Sequence, residues 1–312
     1  MALIAWTGTR GKRLRSRLGW VSCALLWAVA TCWAAETLTF NGGRAFEDLK
    51  RLVALGPRPS GSQALEEARK EIRGQLRQAG VAVEEDRFVA STPAGSVPMV
   101  NLIARIPGAR RQVVIIAGHY ETKRFGDFPF AGANDGGSSA ALLLEMARVL
   151  ARRKNGFTYW LVFFDGEEAF QDFTETDGLY GSRHLVQKLT SDGELSRIEA
   201  LILVDMIGDA RLNIHREYNS TPWLTDTVFR SARGLGYGKY FQDEARAYVD
   251  DHIPFVNAGV AATDLLDFDY GPNNRYWHTA QDTLDKCSPT SLTIVGRVVV
   301  ATLDELERTR LQ

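Results

Sequence analysis

The sequence predicts one α/β domain with a mostly parallel central sheet and helices on both faces. Three observations predict it. Four short apolar runs rich in β-branched and aromatic residues recur along the chain: Val113 to Gly118, Tyr159 to Phe164, Leu201 to Val204 and Val260 to Thr263. They are continuous rather than alternating, as strands buried on both faces are. Helical patterns lie between them, notably Ser138 to Arg153 and Gly178 to Leu189, and strand–helix alternation produces parallel pairing with helices above and below. Finally, three of the runs end at an ionisable residue, His119, Asp165 or Asp205, and the fourth leads through Asp264 into an acidic, aromatic loop. In such sheets ligands bind outside the carboxyl ends of the strands.

The elements follow in chain order. Arg10, Lys12, Arg13, Arg15 and Arg17 precede an apolar run from Leu18 to Ala30, with small residues at Ala34 and Ala35. This is the layout of a secretory signal peptide over residues 1–34. The run is short for a membrane span, so the expectation is an exported protein, periplasmic or extracellular, without a stable span after cleavage. The folded domain would then occupy residues 35–312. Residues 35–43 read as a loose lead-in. Phe46 to Leu55 reads as a short helix, and Ala64 to Ala79 as an amphipathic one with Leu65, Ile72 and Leu76 on one face. Pro57, Pro59, Gly61 and Ser62 separate the two.

Composition is that of an ordinary globular protein. The chain has 312 residues, 45% hydrophobic and 24% charged, which allows a large core without staples. The formal net charge is −1, and no basic stripe lies beyond the leader, so nucleic acid is not an expected partner. Of the three cysteines, Cys23 and Cys32 lie in the leader, so Cys287 alone would remain and no internal disulfide could form.

Five residues form the candidate metal set: His119, Asp135, Glu168, Asp205 and His278. Carboxylate oxygens with imidazole nitrogens suit zinc, and manganese or cobalt also fit. Asp135, in Ala133-Asn134-Asp135-Gly136-Gly137, has a competing reading as a helix N-cap. Glu167 and Glu168 follow the most apolar strand with only Asp165-Gly166 between. Adjacent side chains on an extended segment point opposite ways, so one can bind metal while the other faces substrate as acid or base. His278 follows Trp277 in a polar loop, which can pair a ligand with an aromatic wall. His184, His215 and His252 read as structural. There is no Gly-x-Ser-x-Gly elbow and no Walker loop.

These residues carry a resemblance. Gly118-His119-Tyr120, Gly132-Ala133-Asn134-Asp135, Asp165 to Phe170, Tyr180 to Leu185, Asp205-Met206-Ile207-Gly208, Asp251 to Phe255 and Trp277-His278-Thr279 are similar, in order over residues 44–308, to the M28 metallopeptidase superfamily. Within it the chain most resembles the glutaminyl cyclases of animal type. The resemblance implies a zinc-exopeptidase-like fold and one zinc held by Asp135, Glu168 and His278. It makes Glu167 the general acid/base, with Asp205 and one of Asp250 or Asp251 (Asp251 is the expected one) as neighbouring carboxylates. It makes Trp277 a wall of the glutamine pocket. A second pocket tryptophan of those enzymes falls at Phe173, and their disulfide pair falls at Gly118 and Ala140, so that staple is absent. The implied reaction closes an N-terminal glutamine of a peptide or protein to pyroglutamate, releasing ammonia. The rival is an aminopeptidase on the same fold, with a second metal on His119 and Asp205, Asp135 bridging, and Glu167 activating water. A binding protein without turnover is disfavoured by the intact Glu167–Glu168 pair.

Overall fold

The computed structural model describes residues 1–8 and 39–310. The expected leader, residues 1–34, therefore falls largely outside the described residues, and residues 1–8 carry no secondary structure.

Helix α1 (Gly42–Val53) starts earlier than the apolar pattern suggests, because the Asn41 side chain accepts the Arg44 N–H and caps it. Helix α2 (Gln63–Gln78) is capped by Ser62, which accepts the Leu65 N–H, and buries Leu65, Ile72 and Leu76 as expected. Strands β1 (Val83–Thr92) and β2 (Gly95–Ile106) then form a hairpin, followed by β3 (Val113–His119), α3 (Gly137–Leu150), β4 (Thr158–Phe164), α4 (Tyr180–Ser191) and β5 (Ile198–Asp205). The chain continues through β6 (Ile214–Glu217), α5 (Pro222–Gly234), β7 (Phe241–Arg246), α6 (His252–Asn257), β8 (Ala262–Leu266) and the long α7 (Pro289–Arg310).

The main sheet has the order β1-β2-β4-β3-β5-β8. The four strands expected from the apolar runs pair parallel with one another, β4 with β3, β3 with β5, and β5 with β8. The β1–β2 and β2–β4 pairings at one edge are antiparallel, so the sheet is mixed, with parallel pairing in the majority as expected. Strand β8 departs from expectation. It runs through Asp264 to Leu266, which places a carboxylate in mid-strand opposite Leu203. Strands β6 and β7 pair parallel in a small separate sheet.

The continuous apolar runs have a simple cause. Val114 and Ile116 of β3 point into one core with α1, α2, α3, α5 and α7, whereas Ile115 and Ala117 point into the other with Leu185, Leu189 and Phe255 of α4 and α6. Alternate residues serve opposite faces, so a strand covered on both sides needs apolar residues throughout. At the end of β3, a Cβ on Gly118 would come within 2.6 Å of Ser139 Cβ and 2.7 Å of Val204 O, so α3 and β5 close on the sheet more tightly than any side chain there allows. Among the described residues, no helix is long and apolar enough to cross a membrane.

Candidate active site

The carboxyl ends of β3, β4, β5 and β8 deliver their acidic and imidazole side chains to one place, as the strand-end rule requires. His119 closes β3, Asp205 closes β5, and Glu167 and Glu168 lie just past β4. Asp135 arrives from the turn before α3. That helix is capped by Gly136 without a side-chain bond, so the capping role considered for Asp135 does not occur. His278 arrives from the loop after β8 in a left-handed conformation, φ 54°. Met206, beside Asp205, adopts φ 50°. Such backbone in non-glycine residues costs on the order of 1–3 kcal/mol and persists where the surroundings dictate it.

Asp135 is the hub. Its Oδ2 lies 3.3 Å from His278 Nε2, and Glu168 Oε1 lies 3.1 Å from that same nitrogen. Its Oδ1 lies 3.1 Å from His119 Nε2, which is also 3.1 Å from Asp205 Oδ1. Asp135, Glu168 and His278 each offer one donor atom, all within 4.8 Å of one another. A second group of the same kind is His119, Asp135 and Asp205, and a third is His119, Glu121 and Glu167. Asp135 Oδ2 and Glu168 Oε2 are buried without a hydrogen-bond partner. Two orphaned buried carboxylate oxygens, on residues that both contact the His278 imidazole, are a donor set a divalent cation satisfies.

Electrostatics sharpen that reading. Burial opposes a charge on His278, but Glu168 and Asp135 outweigh it and lift its pKa to about 9. Burial also works against an ionised Asp135, yet the His119 and His278 imidazoles hold its pKa below the usual range. For Glu167, burial raises the pKa well above the usual range, and Glu168, Asp250 and Asp251 add to it while His119 opposes. Glu168 is raised by burial and by Asp135.

The backbone behind these candidate donors is held by further carboxylates. Asp282 accepts the N–H of Asn134 at 2.8 Å and of Asp135 at 3.1 Å, and takes a hydrogen bond from the Tyr270 hydroxyl at 2.7 Å. Glu121 Oε1 accepts the Glu168 N–H at 3.2 Å, and Oε2 lies 3.6 Å from His119 Nδ1. Lys123 Nζ donates to the Ala169 carbonyl at 2.7 Å and lies 3.6 Å from Glu168 Oε2.

Above this floor opens a cleft of about 280 Å³, lined by Asp135, Glu167, Glu168, Asp205, Asp250 and His278 and walled by Trp277, Phe173, Tyr248 and Phe268. The Trp277 ring stacks on His278 at 4.0 Å between centroids, and Phe268 meets Trp277 edge-on at 4.8 Å. Phe125 and Phe130 approach His278 from other sides at 5.7 and 5.8 Å. Asp250 lines the cleft, whereas Asp251 lies behind it, fully buried, and donates its N–H to Asp250 Oδ1 at 2.5 Å. Of the two neighbours, Asp250 shares the cleft lining with Glu167, and both raise the Glu167 pKa. Burial, then Asp205 and Asp251, raise the Asp250 pKa well above the usual range.

The remaining histidines lie outside the cleft lining. His184 stacks on Phe88 and contacts Asp86, His215 contacts Asp269 at 3.0 Å, and His252 contacts Glu217 at 2.9 Å. Glu121, Asp282, Lys123, Tyr248 and Phe268 are site residues that sequence reasoning did not single out. Two of them carry a positional signal: Glu121 follows His119 by two residues, and Asp282 follows His278 by four.

Comparison with known proteins agrees with this geometry. The sequence model described as Peptidase family M28 matches residues 101–303. The chain is 33% identical over 315 residues to a glutaminyl-peptide cyclotransferase of Bothrops jararaca, covering 87% of this chain and 84% of that one. It resembles the crystal structure of an Acidobacteriales bacterium glutaminyl cyclase at 43% identity and a TM-score of 0.84, covering 86% of this chain and 96% of that chain. A Zn-dependent exopeptidase from Parabacteroides distasonis superimposes with a TM-score of 0.78 at 25% identity, covering 86% of this chain and 99% of that chain.

Proposed function

The chain belongs to peptidase family M28, and from that premise we propose that it is a zinc-dependent glutaminyl-peptide cyclotransferase. The observation that carries the reading is the union of a donor triad, Asp135, Glu168 and His278, with Glu167 in a cleft whose wall is Trp277 stacked on the histidine ligand. The likeness to glutaminyl cyclases over most of the chain supports it.

The chain's own residues divide the work. Trp277, Phe173 and Phe268 give the glutamine side chain an apolar wall to pack against. Zinc held by Asp135, Glu168 and His278 would supply Lewis-acid polarisation of the γ-carboxamide oxygen. Glu167 takes a proton from the α-amino group as its nitrogen attacks the γ-carbon. A C–N bond closes the five-membered lactam, and the bond to the amide nitrogen breaks. Glu167 then returns the proton to the departing ammonia. A carboxylate with a raised pKa holds that proton between the two steps; burial raises it, and Glu168, Asp250 and Asp251 add to the shift. The product is the starting peptide less one ammonia.

The second group, His119, Asp135 and Asp205, favours an alternative, an aminopeptidase with two metals. Incubating the metal-loaded protein with a Gln-initiated peptide and weighing the product separates them. Loss of ammonia without loss of a residue is expected. A shortened peptide plus free glutamine, with no ammonia, would replace the cyclase with the peptidase.

We further propose that residues 1–34 are a signal peptide and that residues 35–312 act after export, in the periplasm or outside the cell, on the N-termini of peptides or proteins. The basic and then apolar leader supports this. N-terminal sequencing should find a chain starting near Ala35, and soluble cytosolic protein that retains Met1 would refute it.

A further inference from the structure

Residues 165–179, between β4 and α4, carry Glu167, Glu168 and Phe173 yet form no helix or strand. The ends of this segment are closed on each other. Leu179 N–H donates to the Glu167 carbonyl at 2.8 Å, and Tyr180 N–H donates to the Gly166 carbonyl at 2.7 Å. Inside the loop so formed sits a buried carboxylate, Asp177, 4% exposed. Its Oδ1 accepts the Phe170 N–H and the Tyr180 hydroxyl, both at 2.8 Å, and its Oδ2 accepts the Gln171 N–H at 2.8 Å. Its own N–H donates to Thr174 Oγ1 at 3.0 Å, and its carbonyl accepts the Thr174 N–H at 3.0 Å.

We propose that Asp177 is a positioning residue that sets substrate affinity: it folds the 165–179 loop into the one shape that presents Phe173 as a wall of the cleft. The inference rests on the cyclase reading above for its kinetic consequence, but not for its structural one.

Phe173 has little else to hold it. It is 40% exposed, and its ring lies over Gly178, where a Cβ would come within 2.8 Å of the ring carbons. Gly178 adopts φ 102°, a conformation that L side chains rarely adopt, so the glycine allows both the turn and the ring's approach. On its other side, Lys123 Nζ stands 5.7 Å from the ring centroid. The peptide groups that Asp177 grips, at Phe170 and Gln171, lie between Glu168 and Phe173 in the chain. Without that grip three polar hydrogens lose a buried acceptor, and the loop must find another fold. Burial opposes the Asp177 charge, but the two N–H groups and the tyrosine hydroxyl outweigh it and hold its pKa below the usual range, so it acts as an ionised acceptor at neutral pH.

The test uses the full, metal-loaded protein. Asp177→Asn keeps the shape but turns one acceptor oxygen into a donor aimed at a backbone N–H. Tyr180→Phe, which removes only the hydroxyl partner, is the gentler companion if Asp177→Asn folds poorly. KM for a Gln-initiated peptide should rise about tenfold in Asp177→Asn, with zinc content and kcat within about twofold of wild type. Adding Asp177→Asn to Phe173→Ala should raise KM no further, because both changes remove the same wall. Amide hydrogen exchange at Phe170 and Gln171 should accelerate in Asp177→Asn and, more weakly, in Tyr180→Phe. A lower Tm with unchanged KM, or KM effects that multiply fully in the double variant, would overturn the positioning role. If wild type forms no pyroglutamyl product, the cyclase reading fails by itself. Unchanged exchange at Phe170 and Gln171 would then still overturn the structural role, and accelerated exchange would uphold it.

Discussion

Asp135 and Glu168 on the cleft floor and Phe173 and Val249 at its mouth line the same space, but the first two are 3% and 5% exposed and the second two 40% and 63%. The floor hangs from strand ends and a helix start, and the backbone N–H groups of Asp135 and Glu168 are gripped by Asp282 and Glu121. The mouth is made of irregular chain, and each of two rims is tied by one carboxylate, Asp177 under Phe173 and Glu217 under Tyr248. Position at the floor is inherited from the sheet, whereas position at the mouth depends on a few local hydrogen bonds. On the proposed function, the floor would fix the chemistry and the mouth would set what enters.

The largest effect should come from the floor. Asp135→Ala, Glu168→Ala and His278→Ala each remove a donor from a group already closed to within 4.8 Å. Bound zinc, by elemental analysis, and turnover should fall together to background. Full zinc in any of the three would reassign the triad. Next is Glu167→Gln, which should keep zinc and lose about 10²–10⁴-fold in kcat, since an amide cannot take the proton. Loss of zinc in Glu167→Gln with retention in Glu168→Gln would reverse the assignment of the pair. Third is Asp282→Asn, which touches neither metal nor substrate but turns one acceptor against the Asn134 or Asp135 N–H. Zinc affinity should weaken about 10–100-fold, and excess zinc should restore kcat. Unaltered affinity would mean that the sheet alone positions the floor.

How much of this was readable in the sequence depended on the kind of constraint each residue meets. The strands β3, β4, β5 and β8 stood out because burial on two faces demands unbroken apolar runs. The β1–β2 hairpin did not, because β1 is an edge strand whose outward residues are polar or exposed, down to Val89 at 68%, and β2 contains Pro98. Helix α7 had a readable stripe, Leu292, Val295, Val299, Leu303 and Leu306, that sequence reasoning left unassigned. At the site, the strand-end rule located His119, Glu168 and Asp205; Asp135 and His278, on loops, joined the candidate set by residue type and company, and the resemblance alone singled out Asp135, Glu168 and His278 as one zinc's ligands. Glu121 and Asp282 went unread because they act by accepting backbone N–H groups, and their spacing from His119 and His278 is the one trace this leaves in the sequence. Asp250 and Asp251 are neighbours of the same type, and only the backbone direction before α6 decides which faces the cleft.

The smallest effect separates the mouth from the floor by pH. Glu217, at the end of β6, accepts five hydrogen bonds. Its Oε1 takes the Asn219 N–H at 2.9 Å, the Asn219 Nδ2 at 3.0 Å and the Tyr248 N–H at 3.2 Å. Its Oε2 takes Ser220 Oγ at 2.8 Å and His252 Nε2 at 2.9 Å. Burial alone would raise its pKa, but His252 and the backbone N–H groups of Asn219 and Tyr248 outweigh burial and carry it from 4.5 down to about 2. A carboxyl with a lower pKa folded than unfolded stabilises the fold fully above the unfolded value and loses that contribution as pH falls through the folded one. Glu217 therefore adds stability that is complete above 4.5 and gone below about 2. The denaturant-unfolding free energy of Glu217→Gln should lie below wild type at neutral pH, with the gap narrowing as pH drops through that window. At neutral pH the variant should keep zinc and kcat within a few-fold while KM rises, because the Tyr248 rim shifts and the floor does not. A gap that stays constant with pH would remove Glu217 as the ionised tie. A fall in kcat as deep as that of Glu167→Gln would show that the rim and the floor move as one body.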